Sequence, residues 1–150
     1  MRSVEILSAL GLLNGSTLLM GLQRGLASSA DVEGYCMALL GSSEDHDTAL
    51  LASARALSLD EVERALQRMS ADEAPCDVGE RWRLAMLVEL EGRPLSAAEK
   101  IEALQLLYAE LDYPEDMAAC SIYSADQVDP LEALSEVIVQ LKERLCGVCQ

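Results

Sequence analysis

The chain has no phenylalanine, one tryptophan (Trp82) and one histidine (His46) in 150 residues. With aromatics at 3%, the core has to be built from Leu, Ala, Val, Ile and Met, and Leu and Ala are strong helix formers. Strand formers never alternate over a useful length, so the composition predicts an all-α fold. No apolar run approaches the roughly 18 residues that a membrane span needs. No glycine-rich phosphate loop is present: Gly11, Gly15, Gly21 and Gly25 are spaced as helix breaks, with no lysine following. The lone histidine sits among Glu44, Asp45 and Asp47 with no nucleophile motif around it. That tetrapeptide lacks the ligand order of a calcium loop and reads as a solvated loop entering a helix.

Basic side chains are scarce as well. There are 26 acidic residues against 11 basic ones, a net charge of −15, which excludes the basic footprint needed for nucleic acid or an anionic membrane. The five cysteines are an odd number at irregular spacing, unlike a secreted disulfide scaffold, and predict reduced thiols in a cytoplasm. Cys146-Gly147-Val148-Cys149 has zinc or redox spacing, but no second such pair and no nearby histidine completes a four-ligand site. Arg2 before the run Ile6–Leu13, with Ala27-Ser28-Ser29-Ala30 beyond, loosely imitates a signal peptide. Glu5, Asn14-Gly15-Ser16 and Arg24 interrupt that pattern. No cofactor, no metal and no catalytic residue is expected.

Helix starts are written clearly. Ser58-Leu59-Asp60-Glu61, Asp77-Val78-Gly79-Glu80, Ser96-Ala97-Ala98-Glu99 and Asp129-Pro130-Leu131-Glu132 each place a capping oxygen three residues before a Glu. Pro130 stands at a first helical position, where a missing N–H is harmless. Ser28 or Ser29 caps a further helix through Leu40. Apolar stripes agree: Val62, Ala65, Leu66 and Met69; Ile101, Leu104, Leu107, Tyr108 and Leu111; Leu131, Leu134, Val137, Ile138, Leu141 and Leu145. Leu84-Ala85-Met86-Leu87-Val88 is apolar all round and predicts the most buried helix. The spacing predicts helices near 3–13, 16–24, 29–40, 46–57, 59–69, 78–91, 97–111, 114–123 and 130–145. Short links between them predict antiparallel neighbours in one compact, irregular helical domain over residues 1–150, with a flexible tail near 146–150.

From Ile101 to Leu141 the chain runs 41 residues without Lys, Arg or His and carries nine carboxylates. Within it, Tyr108-Ala109-Glu110-Leu111-Asp112-Tyr113-Pro114-Glu115-Asp116-Met117 is the most distinctive segment. A structural reading has one helix ending near Leu111, Asp112 or Tyr113 capping the next, and Glu115 and Asp116 complementing its dipole. That reading leaves the absence of bases as far as Leu141 unexplained. An exposed acidic face with Tyr113 and Tyr123 as anchors has the character of a partner surface. Its expected contacts are Glu110, Asp112, Tyr113, Glu115, Asp116, Asp126 and Asp129.

This block, followed by Ser121-Ile122-Tyr123 and by Asp129-Pro130 opening a last helix, resembles a bacterial family of unknown function. That family carries a Tyr-Ala-acid-hydrophobic-Asp-Tyr-Pro-Glu-Asp-Met block in the same relative place. Gly21-Leu22-Gln23-Arg24-Gly25-Leu26 leading to Asp31-Val32-Glu33-Gly34-Tyr35 is similar to the family's N-terminal pattern, and Trp82 matches a middle tryptophan. The likeness covers residues 15–145; Cys36, where alanine is usual, and the cysteine-bearing tail depart from it. The resemblance implies a small, soluble, helical protein. It also implies an association with immunity proteins encoded beside polymorphic or contact-dependent toxins. The expected function is therefore neutralisation of a cognate basic toxin, such as a nuclease, by tight non-covalent binding in the cytoplasm. The expected partner is that toxin domain, with no direct nucleic acid and no membrane. The alternatives are a helical adaptor or regulatory scaffold whose charge serves solubility, and a DNA-mimic inhibitor.

Overall fold

The computed structural model describes residues 2–42, 44–124 and 128–146, and these form eight α-helices and two 3-10 helices with no strand. The α-helices are α1 (Ser3–Ala9), α2 (Gly15–Gln23), α3 (Ser29–Leu39), α4 (His46–Leu51), α5 (Leu59–Ala71), α6 (Val78–Glu91), α7 (Ala97–Glu110) and α8 (Pro130–Cys146). The 3-10 helices are Ala54–Ala56 and Glu115–Cys120. The all-α expectation holds. Two elements differ in detail: the helix predicted over 46–57 is α4 followed by one 3-10 turn, and that predicted over 114–123 is the six-residue 3-10 helix. The expected tail lies outside the described residues beyond Cys146.

Capping explains most helix starts. Ser96 and Glu99 form the complete reciprocal box, as do Ser28 and Asp31, where the shorter Asp takes the place of Glu. Ser58 accepts from the Glu61 N–H at 3.2 Å and Asp77 from the Glu80 N–H at 3.0 Å. At the far end of α6, the Lys100 ammonium donates to the Glu91 carbonyl at 2.8 Å and satisfies one of the carbonyls a helix end leaves over.

By its contacts the chain divides into two compact units, Leu7–Trp82 and Met1–Ile6 with Arg83–Gln150. No linker marks the divisions, which fall inside α1 and α6. In the Leu7–Trp82 unit, α2 packs on α5, α4 on both α3 and α5, and the Ala54–Ala56 turn on α3. The α5 stripe Val62, Ala65 and Leu66 is fully buried, while Asp60, Glu61 and Arg64 face outward or towards water. Gly15 and Gly21 are not helix breaks; both lie within α2, Gly15 beneath the Glu73 carboxylate and Gly21 against the Trp82 ring, where a close approach requires a glycine. A Cβ on Gly15 would meet the Glu73 carboxylate at 2.9 Å, and one on Gly21 would stand 2.3 Å from the Trp82 ring. The Trp82 indole N–H donates to the Thr17 carbonyl at 2.9 Å, so the ring is fixed where only a glycine fits. The Glu73 carboxylate accepts from the Gly15 and Ser16 N–H groups at 2.7 and 2.9 Å, an internal anion on the positive end of α2.

In the second unit, α7, α8 and the Glu115–Cys120 helix pack on one another. Ala133, Leu134, Val137, Ile138 and Leu141 form the buried stripe of α8, with Leu131 and Leu145 half-buried at its ends. Met117 and Cys120 are fully buried from the 3-10 helix. The apolar run of α6 behaves as its composition predicts: no residue from Val78 to Glu91 is exposed.

Candidate partner-binding surface

The distinctive block is first a device for stopping α7. The Tyr113 N–H donates to the Tyr108 carbonyl at 3.0 Å and the Asp112 N–H to the Ala109 carbonyl at 3.0 Å. Those are the two nested bonds of a Schellman motif, with Asp112 in the left-handed position at φ 62° and Tyr113 following at φ 53°. The motif's customary apolar contact is made by rings: Tyr113 and Tyr108 meet edge to face with centroids 5.1 Å apart. Pro114 then prevents any return to helix at the preceding residue. Asp112 and Tyr113 thus end one helix; neither caps the next, whose N-cap position is Pro114, with no side-chain cap.

Past the turn, carboxylates one residue apart do opposite things. Asp116 is held by Arg83 in a two-pronged pair, with both N–O distances at 2.8 Å. The guanidinium is buried, and Asp116 keeps about a third of its side chain exposed, so the pair ties the 3-10 helix to α6. Its charge is balanced inside the molecule, and the residue is a structural tie. Beside it, burial pushes the Cys120 thiol up to about 11, with Asp116 adding to the shift and Arg83 opposing it. The thiol is therefore protonated and inert at neutral pH. Glu115, by contrast, faces water.

The other expected contacts divide in the same way. Glu110, the last residue of α7, is exposed, as are Asp112 and Tyr113, the latter 60% exposed. Glu110, Asp112, Tyr113 and Glu115 therefore line one turn of chain. Asp129 is also exposed, but its carboxylate accepts from the Leu131 N–H at 3.0 Å and caps α8. Asp126 lies outside the described residues. Among the described residues, no hydrogen bond or ion pair engages the side chains of Glu102, Glu110, Asp112, Glu115, Glu132 or Glu136.

Three exposed apolar side chains share this part of the unit. Leu106 is 64% exposed on α7, with Glu102 and Glu110 four residues to either side on the same face. Ile122 and Tyr123 are 53% and 89% exposed just past the 3-10 helix. Gln105 ties that segment to α7: its amide donates to the Cys120 carbonyl at 2.9 Å and accepts from the Ile122 N–H at 3.2 Å. The sequence pattern singles out Tyr123 as an anchor but not Leu106 or Ile122. A helical projection of α7, showing a leucine between two glutamates on its polar face, carries that signal. Among the described residues no group of His, Cys, Asp or Glu is arranged to hold a metal ion, and no helix is long and apolar enough to cross a membrane.

A family model described as an uncharacterized protein conserved in bacteria (DUF2247) matches residues 6–147. The chain belongs to this family. Comparison with curated proteins and with solved structures gives no match. The DUF2247 match runs through the helix-stop block, through Trp82 and through the Asn14–Thr17 start of α2.

Proposed function

We propose that this protein is an immunity protein, which neutralises a cognate basic bacterial toxin, a nuclease in the leading case, by tight one-to-one non-covalent binding. It acts in the cytoplasm and performs no catalysis. One observation carries the reading: between Lys100 and Lys142 no base interrupts a run of carboxylates, and most of those described are engaged by no other side chain. Such a field is of little use to the fold, because like charges repel, but it accelerates encounter with a cationic surface. The active cleft of a nuclease is such a surface, since its substrate is a polyanion. Glu110, Asp112 and Glu115 are the electrostatic contacts and Tyr113 an anchor; Asp129 contributes while capping α8. Asp116 has no part in the contact, because Arg83 already neutralises it.

The test begins with the neighbouring reading frame. A large secreted protein with a variable C-terminal domain encoded next to this chain supplies the partner for co-expression and binding. The chain should protect cells from that domain. Its association rate should fall about tenfold or more as salt rises from roughly 0.02 to 0.5 M. Alanine at Glu110, Asp112 and Glu115 should abolish most of that salt dependence. Protection and binding unchanged in the triple variant would reject the surface.

The adaptor reading is favoured by a specific observation, the exposure of Leu106, Ile122 and Tyr123. An adaptor would take an apolar partner segment, and its association would respond little to ionic strength.

A further inference from the structure

Net charge alone gives fast encounter but poor hold, since exposed ion pairs are worth only about 0–1 kcal/mol each. A lasting complex needs desolvated apolar anchors within the charged rim. Leu106 is such an anchor, placed on α7 between Glu102 and Glu110 and 64% exposed. Its exposure has no intramolecular reason: the α7 stripe that serves the core runs through Leu104 on another face. Ile122 and Tyr123 are brought to the same helix by the two hydrogen bonds of Gln105. Leu106 lies one residue further along, in the exposed band that includes Glu102, Ala109 and Glu110. No basic side chain occurs in α7 after Lys100 or anywhere before Lys142, so every ionic neighbour of these apolar groups along the chain is an acid.

We infer that Leu106, Ile122 and Tyr123 form the apolar centre of a docking surface whose acidic rim includes Glu102, Glu110 and Glu115. Its occupant is an amphipathic segment of a basic protein, with apolar side chains flanked within a helical turn by Lys or Arg. The inference rests on the immunity reading and deepens it: the rim sets the encounter rate and the centre sets the residence time. An uncharged apolar segment fits poorly, because it would desolvate the rim without pairing it. A purely polycationic segment would pair the rim and leave the centre wet.

The full chain is titrated with three synthetic peptides of about 18 residues, long enough for five helical turns. One is a Leu/Lys peptide with leucine at i, i+3, i+4 and i+7, the second a scramble of the same composition, and the third oligolysine. At about 0.5 M salt, where exposed charges are screened, the amphipathic peptide should bind at least tenfold more tightly than its scramble. The double variant L106S/Y123A should reduce that ratio to near one, with circular dichroism confirming an unchanged helical spectrum. Equal binding of amphipathic and scrambled peptides would overturn the inference, as would a ratio that survives in L106S/Y123A. The oligolysine arm separates this from the underlying reading. If its low-salt binding is unaffected by E110Q/D112N/E115Q, the acidic contact surface itself fails. If it is weakened while the amphipathic arm shows no preference, only the apolar centre fails.

Discussion

The Leu7–Trp82 unit carries 12 carboxylates against five basic side chains, and the other unit 14 against six. In net charge the two are near equals, yet they use their carboxylates in opposite ways. In the first, Glu73 holds the start of α2, Glu33 pairs with Arg55 at 2.7 Å and Asp47 with Arg68 at 2.9 Å. Asp31, Asp45 and Asp77 cap helices there. In the second, the bases are confined to Arg2 and to Arg83, Arg93 and Lys100 on one side of the acidic run and Lys142 and Arg144 on the other. Among the described carboxylates in between, Asp116 pairs with an arginine, and Glu102, Glu110, Asp112, Glu115, Glu132 and Glu136 are engaged by no base. What decides whether an acidic protein presents a field is where its few bases fall along the chain, and how many carboxylates its own backbone claims. Total charge does not distinguish the two units.

The interlocked unit has least room where Gly21 meets the Trp82 ring. Gly21→Ala should cost about 3 kcal/mol, because the added methyl and the Trp82 ring cannot both keep their places. Urea unfolding followed by Trp82 fluorescence reads it directly. An unchanged midpoint would mean that the ring has an alternative seat and that the close approach is not a constraint.

Asp116 and Glu115 put the same contrast within two adjacent residues. Asp116→Ala leaves the buried Arg83 without its carboxylate and should destabilise by about 2 kcal/mol, discounted for the partial exposure of the pair. Glu115→Ala should stay within about 0.5 kcal/mol. Equal losses in denaturant titrations would dissolve the distinction between structural and outward-facing carboxylates.

One expectation is common to both units. Burial pushes the Cys36 thiol up to about 11, with Asp45 adding to the effect, and Cys120 is raised to about 11 by the same cause. A thiol whose folded pKa lies above its unfolded one contributes stability at lower pH and loses it as pH climbs through that interval. Stability should therefore fall between about pH 9 and 11, by up to about 1.4 kcal/mol per pH unit for each thiol. Urea midpoints across this range should slope downward, and the C36A/C120A variant should flatten the slope. An identical slope in that variant would place the titration elsewhere.

The comparison also separates what was legible in the sequence from what was not. Helix starts were legible because caps are local: Ser58, Ser96 and Asp129 announce themselves within a few residues. The buried α6 was legible because an all-round apolar run has no solvent face. The acidic run was legible because it is a matter of counting. Gly15 and Gly21 look like breaks in the local pattern, since what stands against them is Glu73 and Trp82, more than fifty residues away. The Arg83–Asp116 pair is equally invisible to a local pattern, because Arg83 is remote in the chain. Tertiary pairing overrides a local pattern wherever a carboxylate or a glycine has a distant partner.

The smallest expected effect sets the two units side by side in one geometry. The end of α2 is also a Schellman turn: the Leu26 N–H donates to the Gly21 carbonyl at 2.7 Å and the Gly25 N–H to Leu22 at 3.3 Å, with Gly25 at φ 74°. Glycine is the default there, because any Cβ is strained in the left-handed region. At the end of α7 the same position holds Asp112, whose carboxylate faces water with no described partner. Asp112→Gly relieves about 1 kcal/mol of left-handed strain and loses part of that to the greater freedom of the unfolded glycine. The net gain should be about 0.5 kcal/mol, read as a small rise in the urea midpoint. Under the proposed function the same variant should slow association with a basic partner while the fold grows more stable, since stability and contact make opposite demands on this residue. A variant that gains stability and associates at an undiminished rate would leave Asp112 as a turn residue only, and the carboxylates of the two units would then differ in surroundings without differing in use.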